Sequence, residues 1–149
     1  MTQEKLELTV DKFIFRVSRG LYYNEAGVWV KPEGDTARLG LSDFAQQRSG
    51  DVAFAEVQPK GTTLLPGDEV ASIETIKVNV ILPSPVTGTI VEINAALEDE
   101  PERMNEDPYG RGWFAVVELT AWEADKARLL DAQAYYALIA EQAQEELNA

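Results

Sequence analysis

The sequence predicts a mainly β domain of sandwich or barrel type, with short helices and a C-terminal helical segment. Three observations predict it. Residues 28–119 hold a series of short apolar runs at close spacing. The runs are separated by Pro32-Glu33-Gly34-Asp35, Pro59-Lys60-Gly61, Pro66-Gly67-Asp68 and Pro83-Ser84-Pro85, in which proline presets φ and glycine takes conformations that a Cβ forbids. Residues 122–148, by contrast, contain no glycine or proline and are rich in Ala, Glu, Gln and Leu, so they read as helix.

In chain order, residues 1–27 are expected to form an N-terminal extension packing on the domain, with the apolar stretches Phe13-Ile14-Phe15 and Leu21-Tyr22-Tyr23. Strands are expected over 28–31, 36–41, 52–56, 69–74, 78–82, 88–93 and 113–118, all within a β domain spanning 28–119. Ser42 has the side chain of an N-cap for a short helix through Arg48, which Gly50 would stop. Trp29, Trp113 and Phe114, isolated aromatics in strands, are expected in the core. Residues 120–149 form the C-terminal helical segment. There Leu129, Leu130, Ala134, Ala137, Leu138 and Ala140 give an apolar stripe at helical spacing, and Asp131 is placed to cap a second helix that packs back on the β domain. The polar residues 142–149 are expected to fray.

Composition narrows the function. A chain of 149 residues with 45% apolar residues is enough for one compact domain. Its 13 basic and 26 acidic side chains leave a formal charge of −13, a surface that repels phosphate backbones and anionic lipid, so neither nucleic acid nor membrane is an expected partner. No apolar run reaches the length of a bilayer span, and the start of the chain lacks the apolar centre of a signal peptide, so a cytoplasmic location is expected. The acidic stretch from Glu98 to Asp107 lacks the ligand spacing and central glycine of a calcium loop.

Cysteine and histidine are both absent. That removes disulfides, thiol chemistry, zinc sites built on imidazole or thiolate, and the Ser/His and Cys/His nucleophile pairs. No acid/base or metal constellation replaces them, so no stand-alone enzyme is expected. Any redox or acyl-transfer chemistry would have to come from a group that the polypeptide carries.

The segment that offers such a carrier runs from Gly67 to Gly88, where two β-rich runs flank the single lysine Lys77. Glu74-Thr75-Ile76-Lys77 resembles the Glu-Thr/Ser-x-Lys signature of lipoyl domains, and Ser84-Pro85-Val86-Thr87-Gly88-Thr89-Ile90 resembles the Ser/Ala-Pro-x-x-Gly-x-Ile/Val element that follows the modified lysine in biotinyl and lipoyl carriers. Biotin carriers place Met on both sides of that lysine; here the neighbours are Ile76 and Val78. Other stretches resemble the H protein of the glycine cleavage system: Gly34 to Gln46, Gly50-Asp51-Val52 with Glu56, Asn94-Ala95-Ala96-Leu97, Asn105 to Trp113, and Asp131-Ala132-Gln133-Ala134-Tyr135. Several motifs in the right order over roughly residues 28–140 identify the chain as similar to that family.

The resemblance implies a barrel-sandwich hybrid of the biotinyl/lipoyl type (hammerhead-like) and a non-catalytic carrier with a covalent lipoyl group on Lys77. Glu74, Thr75, Ile76 and Val78 would be its recognition surroundings. A lysine in water is protonated at neutral pH, so a lipoate-protein ligase or lipoyl transferase must supply the activated acyl group. Modification removes one positive charge. Strand alternation, unbroken, would put Ile73, Thr75, Lys77 and Asn79 on one side and Glu74, Ile76, Val78 and Val80 on the other.

The implied partners are the glycine-cleavage decarboxylase, aminomethyltransferase and dihydrolipoyl dehydrogenase. One departure stands out: Gly27-Val28-Trp29 occupies the place of the family's His-Glu-Trp, and residues 1–26 match the family pattern poorly. It opens a second reading, an H-like lipoate-binding protein that carries sulfur intermediates for a heterodisulfide-reductase-like complex in sulfur oxidation.

Overall fold

The computed structural model describes residues 4–148; residues 1–3 and 149, parts of the expected extension and tail, lie outside the described residues. The chain begins with an antiparallel hairpin, β1 (Lys5–Val10) and β2 (Phe13–Ser18), which the sequence reading registered only as an apolar stretch. Val10 pairs with Phe13 across a turn at Asp11-Lys12, with Asp11 at φ 55°. Aspartate visits the left-handed region more readily than most residues, so the hairpin closes without glycine.

There follow β3 (Tyr22–Tyr23), β4 (Val28–Glu33), β5 (Thr36–Leu41), α1 (Asp43–Ser49), β6 (Val52–Val57), β7 (Thr63–Leu64), β8 (Glu69–Thr75), β9 (Asn79–Pro83) and β10 (Gly88–Ile93). A 3-10 turn at Ala95–Glu98 leads to α2 (Arg103–Glu106), β11 (Ala115–Leu119), α3 (Trp122–Lys126) and α4 (Ala132–Asn148). All seven expected strands are present, those over 36–41 and 88–93 with the expected ends and the other five with shifted ones. The first continues through Pro32 to Glu33, where β3 no longer reaches it and a missing N–H costs nothing. The last begins at Ala115 instead of position 113.

Among the described residues the strands form three sheets: the β1-β2 hairpin, a six-stranded sheet in the order β3-β4-β5-β11-β10-β7, and a three-stranded sheet β6-β8-β9. The mainly β class with short helices and a C-terminal helix is as expected. Leu39, Leu41, Ile73, Leu82, Ile90, Phe114 and Val117 belong to one buried cluster drawn from both larger sheets. At about 25 cal/mol per Å² of apolar surface removed from water, this layer is the main source of stability.

A second cluster joins the hairpin to α1 and α4 through Phe15, Val17, Tyr23, Trp29, Phe44, Tyr135 and Ile139. Phe15 meets Phe44 edge-on with ring centroids 4.9 Å apart, and Tyr23 stacks on Tyr135 at 4.4 Å. The Tyr23 hydroxyl donates to the Ser18 carbonyl at 2.6 Å, and the Tyr135 hydroxyl shares a 2.6 Å bond with Ser42 Oγ. Burial pushes the Tyr135 phenol up to about 12 and raises those of Tyr23 and Tyr109 further.

Trp29 and Phe114 are buried as expected, whereas Trp113 is half-covered, with the Arg38 guanidinium 4.7 Å over its ring. Trp122 lies against Tyr22 at 5.2 Å, on the domain.

Two expectations for the tail are corrected. Residues 122–148 form two helices, separated at Ala127–Asp131, and the Asp131 carboxylate accepts the Ala134 N–H at 2.8 Å as the cap foreseen. The buried face of α4 is Ala132, Tyr135, Ile139 and Ala143, while Ala134 and Ala137 point to solvent. Tyrosine and isoleucine bury far more surface than alanine, so they set the face. The helix also persists to Asn148, beyond the expected fraying point. No described helix is long and apolar enough to cross a membrane.

Candidate functional site

The β8–β9 hairpin brings the predicted site residues together. Thr75 ends β8, Asn79 begins β9, and Ile76, Lys77 and Val78 lie in the connection. The Thr75 N–H donates to the Val78 carbonyl at 2.9 Å, which closes a tight turn. The Thr75 hydroxyl ties it internally: it accepts the N–H groups of Lys77 and Val78, each at 3.1 Å, and donates to the Val78 carbonyl at 3.1 Å. A threonine at this place therefore stiffens the tip with its own side chain.

Lys77 is exposed at the tip, between Ile76 at 83% and Val78 at 47% exposure. Among the described residues its ammonium has no ion-pair partner. Such an amine suits acylation, since forming an amide there breaks no salt bridge.

The turn corrects the expected alternation. Ile73 pairs with Val80 and Glu74 with Asn79, so Ile73 and Val80 share the core face that unbroken alternation would have split. A reversal pairs positions of constant sum, whereas alternation along a straight strand follows parity alone. Glu74 points to solvent opposite Phe54, whose ring is 68% exposed. Ile81, 65% exposed, shares this outer face with Ser72 and Glu56. Sequence reasoning missed Phe54 and Ile81. Their signal was apolar character at positions where the pattern of the sheet calls for polar residues.

Beneath the lysine lies a platform. Ser42 caps α1 through the Ala45 N–H, and Gly50 ends it at φ 92°, a conformation that favours glycine. Lys77 methylenes lie 3.6–3.8 Å from where a Cβ on Gly50 would sit. Asn105 holds this turn from behind: its Nδ2 donates to the Gly50 carbonyl at 3.0 Å and to Gln46 Oε1 at 2.9 Å, and its Oδ1 accepts the Val52 N–H at 2.9 Å. Asn105 was visible only as part of a motif; its role as a clamp depends on a contact across 55 residues.

Asp43 is buried at the start of α1 and accepts the Arg16 N–H at 2.8 Å, anchoring β2. Gly27, at the departure noted above, has φ 89°. A Cβ there would meet Ala45 Cβ, Tyr135 Oη and Ser42 Oγ at 2.8–3.0 Å. The Ser42–Tyr135 bond fills the space that any side chain at position 27 would need.

Two clefts flank the lysine hairpin. One, of about 370 Å³, is lined by Phe13, Phe15, Gln47, Arg48, Lys77 itself and Glu146. The other, of about 280 Å³, opens beyond Arg48 beside Val78, Val80, Ala26 and Tyr135.

Known proteins resemble this chain in sequence and in fold. The sequence profile of the family described as "Glycine cleavage H-protein" matches residues 21–142. The glycine cleavage system H protein of Marinobacter nauticus is 47% identical over 116 residues, 77% of this chain and 88% of that protein. That of Dinoroseobacter shibae is 41% identical over 118 residues, 79% of this chain and 96% of that protein. The crystal structure of a glycine cleavage system H protein from Mycobacterium marinum superposes with a TM-score of 0.73 at 30% identity, covering 81% of this chain and 97% of that one. The fold expected from the motif resemblance agrees with this likeness. The β1-β2 hairpin, ending at Ser18, precedes the matched region.

Proposed function

The chain belongs to the glycine cleavage H-protein family, and from that premise we propose that it is a carrier whose lipoyl arm is attached at Lys77. The observation that supports this most is the exposed, unpaired lysine at the end of a hairpin that its own Thr75 hydroxyl makes rigid. When bound, a lipoyl group supplies a cyclic disulfide that takes up electrons and a substrate fragment, chemistry that a chain without cysteine lacks.

The polypeptide's part is presentation. Thr75 and the Gly50 platform hold the attachment point at a fixed place, and the tether raises the arm's effective concentration at successive enzyme sites. Ile76 and Val78 at the tip, with Glu74, Phe54 and Ile81 on the outer face, offer an apolar surface bearing a carboxylate to an attaching enzyme, a lipoate-protein ligase or lipoyl transferase. The arm then serves the decarboxylase, the aminomethyltransferase and the dihydrolipoyl dehydrogenase of glycine cleavage, and the chain itself catalyses nothing. Relatives named for glycine cleavage support this service over sulfur oxidation with a heterodisulfide-reductase-like complex.

The reading is tested by reconstituting glycine cleavage with the three partner enzymes. The lipoylated chain is expected to sustain turnover and Lys77→Arg to give none. Equal turnover by Lys77→Arg would refute it.

A further inference from the structure

The outer face of the six-stranded sheet carries two cations that the fold leaves without a counter-charge. Lys31 on β4 stands directly opposite Arg38 on β5, a relation in which like charges repel. Six of the seven arginines, Arg16, Arg19, Arg48, Arg103, Arg111 and Arg128, hold a carboxylate. Among the described residues Arg38 holds none, and neither does Lys31. Carboxylates are not scarce here, since the chain has 26 acidic side chains to 13 basic ones.

Arg38 is nonetheless fixed in place. Its guanidinium lies 4.7 Å over the half-covered ring of Trp113, and its Nε–H is buried without an acceptor. Stacking on an indole sets the plane of the guanidinium and leaves its terminal nitrogens free at the edge. On the other side Arg38 faces half-buried Val116 of β11. The same face carries Glu33 and Glu118 on either side of Thr36, and Glu92 beyond Val116. None of these three carboxylates pairs with Arg38 or Lys31.

We propose that Arg38 and Lys31, with Trp113 and Val116, form a docking point for a partner enzyme of the arm, which offers one Asp or Glu carboxylate beside an apolar side chain. The proposal rests on the chain serving as a lipoyl carrier. A carboxylate matches the edge of a stacked guanidinium, and arginine and tryptophan are the side chains that concentrate binding energy at interfaces. The surrounding glutamates select the charge: two cations framed by Glu33, Glu118 and Glu92 hold one negative charge, whereas a doubly charged phosphate meets repulsion. A second copy is opposed by its own charge of −13. The place also suits a carrier. Lys77 belongs to the three-stranded sheet, across the shared core, so a partner that grips Arg38 leaves the lysine hairpin uncovered. Such a grip raises the effective concentration of the arm at that partner.

The experiment mixes the full lipoylated chain with each of the three glycine-cleavage enzymes and adds a water-soluble carbodiimide, which joins an amine directly to a carboxylate. Peptide mapping is expected to find Lys31 joined to an Asp or Glu of one enzyme, in excess of Lys60 and Lys126, which are exposed elsewhere. For that enzyme Arg38→Gln is expected to raise the KM for the lipoylated chain about tenfold with kcat unchanged. A purely structural role for Arg38 would lower Tm and leave KM alone. The docking point would be overturned if Lys31 were joined no more often than Lys60 and Lys126, or only to a second copy of the chain, or if Arg38→Gln left KM unchanged for all three enzymes. In those cases turnover by the wild type would leave the carrier reading standing. Absence of turnover by the lipoylated wild type would overturn both.

Discussion

Asn105→Ala is the sharpest structural perturbation near the lysine. The amide side chain makes three hydrogen bonds at 2.9–3.0 Å, to the Gly50 carbonyl, the Gln46 side chain and the Val52 N–H. Each is worth about 1 kcal/mol net, and all three partners lie at partly buried positions where water replaces them poorly, so the loss is about 3 kcal/mol. For a chain of this size about 2–4 °C in Tm accompanies each kcal/mol, which puts the expected fall at about 6–12 °C. Thermal and urea unfolding of the two purified proteins would measure it. Asn105→Asp keeps the acceptor for Val52 but presents a carboxylate to the Gly50 carbonyl and to Gln46 Oε1, so it is expected to destabilise at least as much. A fall in Tm under about 2 °C for Ala, or a tolerated Asp, would refute the clamp.

Other positions give independent tests. A Cβ on Gly40 would strike the indole of buried Trp29, whose Nε1–H donates to the Pro108 carbonyl at 2.9 Å; Gly40→Ala should cost about 1–3 kcal/mol by urea unfolding. Thr75→Val keeps the shape but removes the hydroxyl that ties the turn; it should lower NMR order parameters at residues 76–78 and slow attachment at Lys77, while stability falls by only about 1 kcal/mol.

Alkaline pH probes the second core. Tyr135 loses its proton near 10 when unfolded and at about 12 when folded. Its raised folded value gives stability that is complete below pH 10 and lost as the pH climbs toward 12, about 3 kcal/mol in all. Tyr23 and Tyr109 act in the same direction. Urea midpoints should hold steady from pH 8 to 9.5 and fall above 10, and Tyr135→Phe should fall less steeply.

The strands of the β domain were legible because proline and glycine mark their ends and apolar runs fill them. Ser42, Gly50 and Asp131 announced their roles by residue type alone. The β1-β2 hairpin was hidden, since its turn is Asp11-Lys12 and lacks the glycine that usually signals reversal. The α4 face was misread because alanine counts as apolar yet is equally at home on a solvated helix, while Tyr135 and Ile139 carry the buried area.

At the site, Lys77 and its neighbours could be named from local motif, but Asn105, Phe13 and Phe15 reach it only through tertiary contacts. Phe54 and Ile81 show the opposite case, in which an apolar residue in a strand pattern faces water.

The central claim is that Lys77 alone carries the arm. Incubation of the purified chain with a lipoate-protein ligase, ATP and lipoate, followed by intact mass and peptide mapping, tests it most directly. The account predicts a single lipoyl addition on the peptide containing Lys77 and none in Lys77→Arg. An unmodified chain under conditions that lipoylate a control H protein, or an addition mapped to another lysine, would contradict it.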